Sequence, residues 1–138
     1  MLQLMKAWLK GKIFLIAITV TLSLVTLSLI KVPEYTVSVT HLDKWQHCFA
    51  YFVLSISWLI VFYKKKKKRL VVVCCILLGV IIEVSQNTLT SYRTGDFYDV
   101  IANAIGVLLG LFVYLYVLFL YVYLRFICVF MLFFVFCL

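Results

Sequence analysis

The chain has 138 residues, of which 67% are hydrophobic and 13% charged, and its formal net charge is +8. An ordinary soluble domain is about 45–50% apolar and about 25% charged, and a domain of this size leaves much of its surface wet. The composition therefore excludes a cytosolic globular enzyme and a disordered tail. A membrane protein remains, provided the apolar residues fall into spans of about 20.

The first apolar run covers residues 13–30 and is interrupted only by Ser and Thr. Lys6, Lys10 and Lys12 ahead of it resemble the basic region of a signal peptide. The run exceeds the usual 7–15 residues and no A-x-A-like site follows, so an uncleaved first span is expected. The second run, 48–63, is long enough to span once Trp45 to His47 are counted as its first turn. The third, about 70–89, is purely apolar only to Ile82 and then meets Glu83, Ser85, Gln86 and Asn87. The fourth, 100–124, contains one polar residue of consequence, Asn103.

In lipid the backbone must satisfy its own hydrogen bonds, so runs of this length read as helices. Barrel strands would alternate apolar and polar residues, and these do not. The expected fold is an all-α membrane protein, a four-transmembrane-helix bundle forming a single domain. Residues 126–138 are wholly apolar and too short to span alone. They extend helix four, lie along the interface or re-enter; a fifth span is the alternative.

Basic residues in short loops favour the cytoplasmic side. With four spans, Lys6, Lys10, Lys12, the run 64–69 and Arg125 all fall on one side. Only Lys31, Lys44 and Arg93 of the thirteen basic residues fall on the other. Both termini are then cytoplasmic. The run 64–69 is either a topology signal or a site for anionic headgroups, each basic residue near such a surface contributing roughly 1 kcal/mol. Nucleic-acid binding is not expected, because most of the net charge belongs to this topological pattern. The five cysteines lie in apolar runs without C-x-x-C or zinc-ligand spacing. No disulfide, metal or other cofactor is expected.

The polar residues converge under this topology. All five acids, Glu34, Asp43, Glu83, Asp96 and Asp99, and both histidines, His41 and His47, lie on or face the outer side. Glu83 is about 20 Å along the third span from Leu70, hence on the order of 10 Å below the outer surface of a core about 30 Å thick. Helical spacing puts Asp43, His47, Tyr51 and Leu54 on one face of span two, with Lys44 beside it. It puts Gly79, Glu83, Gln86 and Asn87 on one face of span three, and Asp96, Asp99, Asn103, Gly106 and Gly110 on one face of span four. Asp96 suits a helix N-cap, with Asp99 in the first turn. Gly106 and Gly110 form a G-x-x-x-G packing seam, and Gly79 joins them as a packing residue. An ionisable group inside a bilayer is costly and usually faces a partner or a cavity; Glu83 has His47, Lys44 and Arg93 as candidate partners. Two readings stay open: a clasp that fixes helix packing, or a binding or catalytic site.

Three segments are similar to motifs of the VanZ-like family of small bacterial membrane proteins. Asp43 to Tyr51 resembles the family's D-K-x-x-H-(F)-x-x-Y, Glu83 to Gln86 its E-x-x-Q, and Arg93 to Gly110 its R-x-x-D-x-x-D-x-x-x-N-x-x-G-x-x-x-G. They cover roughly residues 43–110. Cys48 stands where the family commonly has Phe, and the Phe-rich tail has no counterpart. The resemblance implies a multi-span helical protein of the bacterial cytoplasmic membrane, and an association with resistance to the glycopeptide teicoplanin. The candidate polar site, drawn from the convergence and helical spacing above, is Asp43, Lys44, His47, Tyr51, Glu83, Gln86, Arg93, Asp96, Asp99 and Asn103.

Four functions compete. The first is binding of an envelope lipid, lipid-linked glycan or glycopeptide, with Lys44 and Arg93 suited to a phosphate. The second is a membrane enzyme using Asp43, His47, Glu83, Asp96 and Asp99 as acids, bases or metal ligands, although no H-E-x-x-H or G-x-S-x-G signature is present. The third is an ion-coupled transporter, which the lack of polar residues in the inner half disfavours. The fourth is a purely structural role. Membrane lipids are expected partners, and assembly with further copies of the chain stays open.

Overall fold

The computed structural model describes residues 2–30, 42–89 and 96–137, and side chains within 10–30, 42–64, 66–88 and 96–132. These residues form four α-helices: α1 (Leu2–Leu29), α2 (Leu42–Val61), α3 (Lys68–Leu89) and α4 (Phe97–Cys137). A short 3-10 turn, Tyr63–Lys65, joins α2 to α3. No strand occurs among the described residues. The all-helical expectation holds.

Three helices are long and apolar enough to cross a membrane, over Lys10–Leu29, Lys68–Thr88 and Phe97–Leu132. The expected count of four is thus met for three. The reason lies in the first turns of α2, where Asp43, Lys44, Gln46 and His47 dilute its apolar stretch. This helix is also the central one: it touches all three others and packs most extensively on α4. A helix surrounded by protein tolerates polar residues that a lipid-facing one would not. The tail does not form a separate fifth helix. Residues 126–137 continue α4 without a break.

Successive helices run antiparallel. Tyr51 and His47 on α2 face Gly79 and Glu83 on α3 in reversed order, whereas Cys48 and Ser55 face Gly106 and Gly110 on α4 in the same order. Helices α2 and α4 are therefore parallel, with G-x-x-x-G at their crossing. A Cβ at Gly106 would overlap the carbonyl oxygen of Cys48, and one at Gly110 would overlap Ser55 Oγ. At Gly79 a Cβ would stand 3.2 Å from Tyr51 Cε1 and 3.3 Å from Asn103 Cβ. The three glycines assigned to packing are the points of closest helix approach.

The molecule is apolar outside and partly polar inside. Leu15, Leu22, Phe49, Leu77, Phe112 and Phe119 are among many large apolar side chains left exposed. His47, Ser55, Glu83, Gln86, Asp99 and Asn103 are buried. Water would not permit that distribution, but lipid does. Polar groups in α1 bond locally, as Thr19, Thr21 and Thr26 donate to the carbonyls of Leu15, Ala17 and Leu22 at 2.9, 2.7 and 2.8 Å. Trp58 Nε1 donates to Thr21 Oγ1 at 3.0 Å and ties α2 to α1. Beneath the polar layer the core is apolar, built from Leu54, Leu59, Val71, Cys75 and Val107. The turn before α3 places Lys66 at φ 51° in the left-handed region, reversing the chain within the basic run. The described cysteines, Cys48, Cys74, Cys75 and Cys128, are free.

Candidate functional site

The polar residues gather at the end of the bundle opposite the basic turn. His47 is the sixth residue of α2, Asn103 the seventh of α4, and Glu83 the seventh from the end of α3. At 1.5 Å per residue each lies about 8–9 Å inside its helix end, so the three meet in one layer.

An outer tier sits at the helix ends. Asp96 caps α4: its Oδ1 accepts the N–H of Tyr98 at 3.0 Å, satisfying one of the orphan donors of the first turn. Lys44 Nζ donates to Asp96 Oδ2 at 3.0 Å, Asp99 Oδ1 at 3.1 Å and Asp43 Oδ2 at 3.2 Å. The ammonium also stands 5.9 Å from the ring centre of Tyr98. These hydrogen bonds to Asp96 and Asp99 hold the Lys44 ammonium above its usual range. The Tyr98 N–H and then Lys44 hold the Asp96 carboxyl below its own. Both groups lie outside the apolar part of their helices.

The inner tier is buried. His47 Nδ1 lies 3.2 Å from Asn103 Oδ1 and 3.8 Å from Glu83 Oε1, and Nε2 lies 3.8 Å from Asp99 Oδ2. Glu83 is 5% exposed. Neither of its oxygens has a hydrogen-bond partner among the described residues, and the same is true of Asn103 Nδ2 and Tyr51 Oη. Native proteins hydrogen-bond the great majority of their buried polar groups, so four such atoms around one layer mark it out. One donor atom each from His47, Glu83 and Asp99 lies within 4.8 Å of the other two. Tyr51 and Gly79 close the layer from below, in contact range of each other.

The structure brings together Lys44, His47, Glu83, Asp96, Asp99 and Asn103, and separates others from them. Gln86 is buried but donates from Nε2 to the Ser28 carbonyl at 2.8 Å, tying α3 to α1. Asp43 and Asn87, which share helix faces with His47 and Glu83, are exposed. Asp43 meets the site only through Lys44. That lysine is not free for a phosphate, since three carboxylates already surround it. Arg93, Glu34 and His41 lie outside the described residues. The sequence reading omitted Ser55, which is buried against Gly110 and donates to the Phe52 carbonyl at 3.0 Å. Its place four residues after Tyr51, on the same face, was the signal for it.

One comparison with known proteins, that with protein families, covers the motif-bearing region. Neither the curated proteins nor the solved structures contain a match to this chain. The VanZ/LLP1 family matches residues 10–121, a stretch that starts before the first apolar run, takes in all three motif segments of the site and stops short of the apolar tail. On the strength of that match, the chain belongs to the VanZ/LLP1 family.

Proposed function

We propose that this protein binds an envelope ligand at the outer face of the bacterial cytoplasmic membrane. The ligand is the glycan-bearing headgroup of a lipid, or a glycopeptide such as teicoplanin. The positive-inside pattern supports the orientation, with both termini and the basic turn in the cytoplasm and the polar layer outward.

The observation that carries this reading is the unsatisfied inner tier. A clasp serving only to fix helix packing would hydrogen-bond its members fully, because an unpaired buried polar group costs about 1–3 kcal/mol. Here a 5%-exposed carboxylate has neither oxygen hydrogen-bonded among the described residues. The described site has four carboxylates against one lysine, which favours hydroxyl and ammonium groups of a sugar over a phosphate. The apolar core beneath it favours binding at one face over passage of ions.

The test is binding of teicoplanin and of lipid-linked glycan to the purified protein in lipid nanodiscs. Glu83→Gln and His47→Ala should each weaken binding at least tenfold with the helical content unchanged. Binding equal to wild type in both variants rejects the reading.

A further inference from the structure

We infer that His47, Glu83 and Asp99 form a binding site for one divalent transition-metal ion of the zinc and manganese class. No metal-ligand spacing is visible along the chain because the three ligands come one each from α2, α3 and α4, and only the fold assembles them.

The donor set fits. One imidazole and two carboxylates form a borderline ligand shell, suited to zinc or manganese rather than to copper(I) or calcium. Three protein ligands leave a fourth position open, as in zinc sites that act on a bound molecule. The charges fit as well. Glu83 and Asp99 are both buried, and two carboxylates together out of water demand a counter-charge. Lys44 supplies part of it, but only to Asp99 Oδ1 at 3.1 Å. Among the described residues, Asp99 Oδ2 and both Glu83 oxygens are left facing His47 or without a hydrogen-bond partner. A divalent ion neutralises the pair.

The geometry points the same way. In the neutral ring, with Asn103 Oδ1 accepting from Nδ1 at 3.2 Å, Nε2 presents a lone pair. That lone pair faces Asp99 Oδ2 at 3.8 Å, too far for a hydrogen bond and unfavourable as two bare acceptors. Zinc bonds of about 2.0–2.2 Å place tetrahedral ligands about 3.4 Å apart, so Nε2 and Oδ2 need to close by only about 0.4 Å. Glu83 has further to move within the 4.8 Å limit of the group, and among the described residues neither of its oxygens is hydrogen-bonded. Asn103 then acts outside the metal's own ligands, fixing the imidazole's tautomer and orientation as such partners do.

The site is the one proposed above for the envelope ligand, but metal binding does not depend on that ligand, and the two ideas fail separately. The full-length protein in detergent is stripped with EDTA, exchanged into buffer, and titrated with Zn2+ and with Mn2+, and retained metal is counted by mass spectrometry after desalting. One equivalent per chain is expected, with affinity at least tenfold weaker in Glu83→Gln and Asp99→Asn and unchanged in Asn87→Ala, one turn away on the exposed side of α3. Wild-type protein should also melt several degrees higher with Zn2+ than with EDTA, and Co2+ loading should give a visible d–d absorption band. Those two readings need no variant and decide the matter if Glu83→Gln or Asp99→Asn fails to fold. The inference is overturned if wild type retains no stoichiometric metal and shows no melting shift, or if both variants retain Zn2+ as tightly as wild type. Ligand binding that persists in EDTA leaves the envelope reading standing without the metal.

Discussion

The crossing of α2 and α4 gives the sharpest test of the fold. Replacing Gly106 with Ala adds one carbon at a point where the structure has no room. The new Cβ would overlap the Cys48 carbonyl oxygen and lie 2.9 Å from the carbonyl carbon and 3.1 Å from Cα, against the 3.4 Å at which ordinary contact begins. The obstacle is helix backbone, which cannot rotate away as a side chain would. Helix α2 must move as a unit, by at least half an ångström to free the carbonyl carbon and by more to free the oxygen. A gap of 0.5–1 Å forfeits roughly a quarter to a half of each contact's attraction, and overpacking of this kind costs about 1–3 kcal/mol. The higher helix propensity of Ala returns at most about 1 kcal/mol, so a net loss of about 1–2 kcal/mol is expected. The same shift carries His47, next to Cys48, away from Asn103 and breaks their 3.2 Å hydrogen bond. The assay is thermal unfolding of purified protein in detergent, where the loss should lower Tm by roughly 3–8 °C. Gly11→Ala is the control, because a Cβ there meets nothing within 4 Å, and its Tm should match or slightly exceed wild type. A Gly106→Ala protein that melts at or above wild type, or a Gly11→Ala protein that falls equally, refutes the close parallel crossing.

Three further outcomes follow from particular contacts. Because the Asp96 carboxyl titrates below its unfolded value, it stabilises the fold above about pH 4 and loses that contribution as pH falls through its depressed folded value. Tm should therefore drop between pH 5 and pH 3, and the drop should shrink in Lys44→Met, which removes a partner that lowers it. Trp58→Phe removes the 3.0 Å hydrogen bond to Thr21 and should cost about 0.5–1.5 kcal/mol, read as a lower Tm with α-helical circular dichroism unchanged. Lys66→Gly relieves a left-handed residue at φ 51° and should raise Tm by the equivalent of up to about 1 kcal/mol; a fall in Tm would contradict the turn geometry.

The sequence revealed what depends on local pattern. Apolar run length placed all four helices, and the Asp-x-x-Asp spacing marked Asp96 as the cap that its bond to Tyr98 makes it. Face periodicity put Asp99, Asn103, Gly106 and Gly110 on the buried side of α4. What it could not supply was the identity of each neighbour. Lys44 reads in the sequence as a candidate partner of Glu83 or of a phosphate, yet Asp96 and Asp99, 52 and 55 residues away, engage it. Gln86 sits three residues from Glu83 and shares its face, yet it turns to α1, because the Ser28 carbonyl lies on that side. Asp43 and Asn87 fall at the margins of their helical faces, where a small rotation decides burial, and both end exposed. The second run reads as a full span once Trp45 to His47 are counted, whereas in the structure α2 is not among the helices apolar enough to cross a membrane; its central position shows why a less apolar helix suffices there.

Helix α4 has a consequence that concerns the bilayer itself. Its 41 residues measure about 61 Å, twice the hydrocarbon thickness of about 30 Å. Transmembrane helices tilt by at most about 40°, which accommodates a length of about 39 Å, or 26 residues. Measured from Phe97, that allowance runs out beside Arg125, the one charged residue in the second half of the helix. Arg125 therefore works as a depth mark, and the apolar residues beyond it overshoot the leaflet that holds the basic turn. Water will not solvate twelve consecutive apolar residues, so the overhang must bend into the headgroup region or find another apolar surface to cover it. The length of one helix thus obliges the protein to deform its membrane, its own rod or its neighbours.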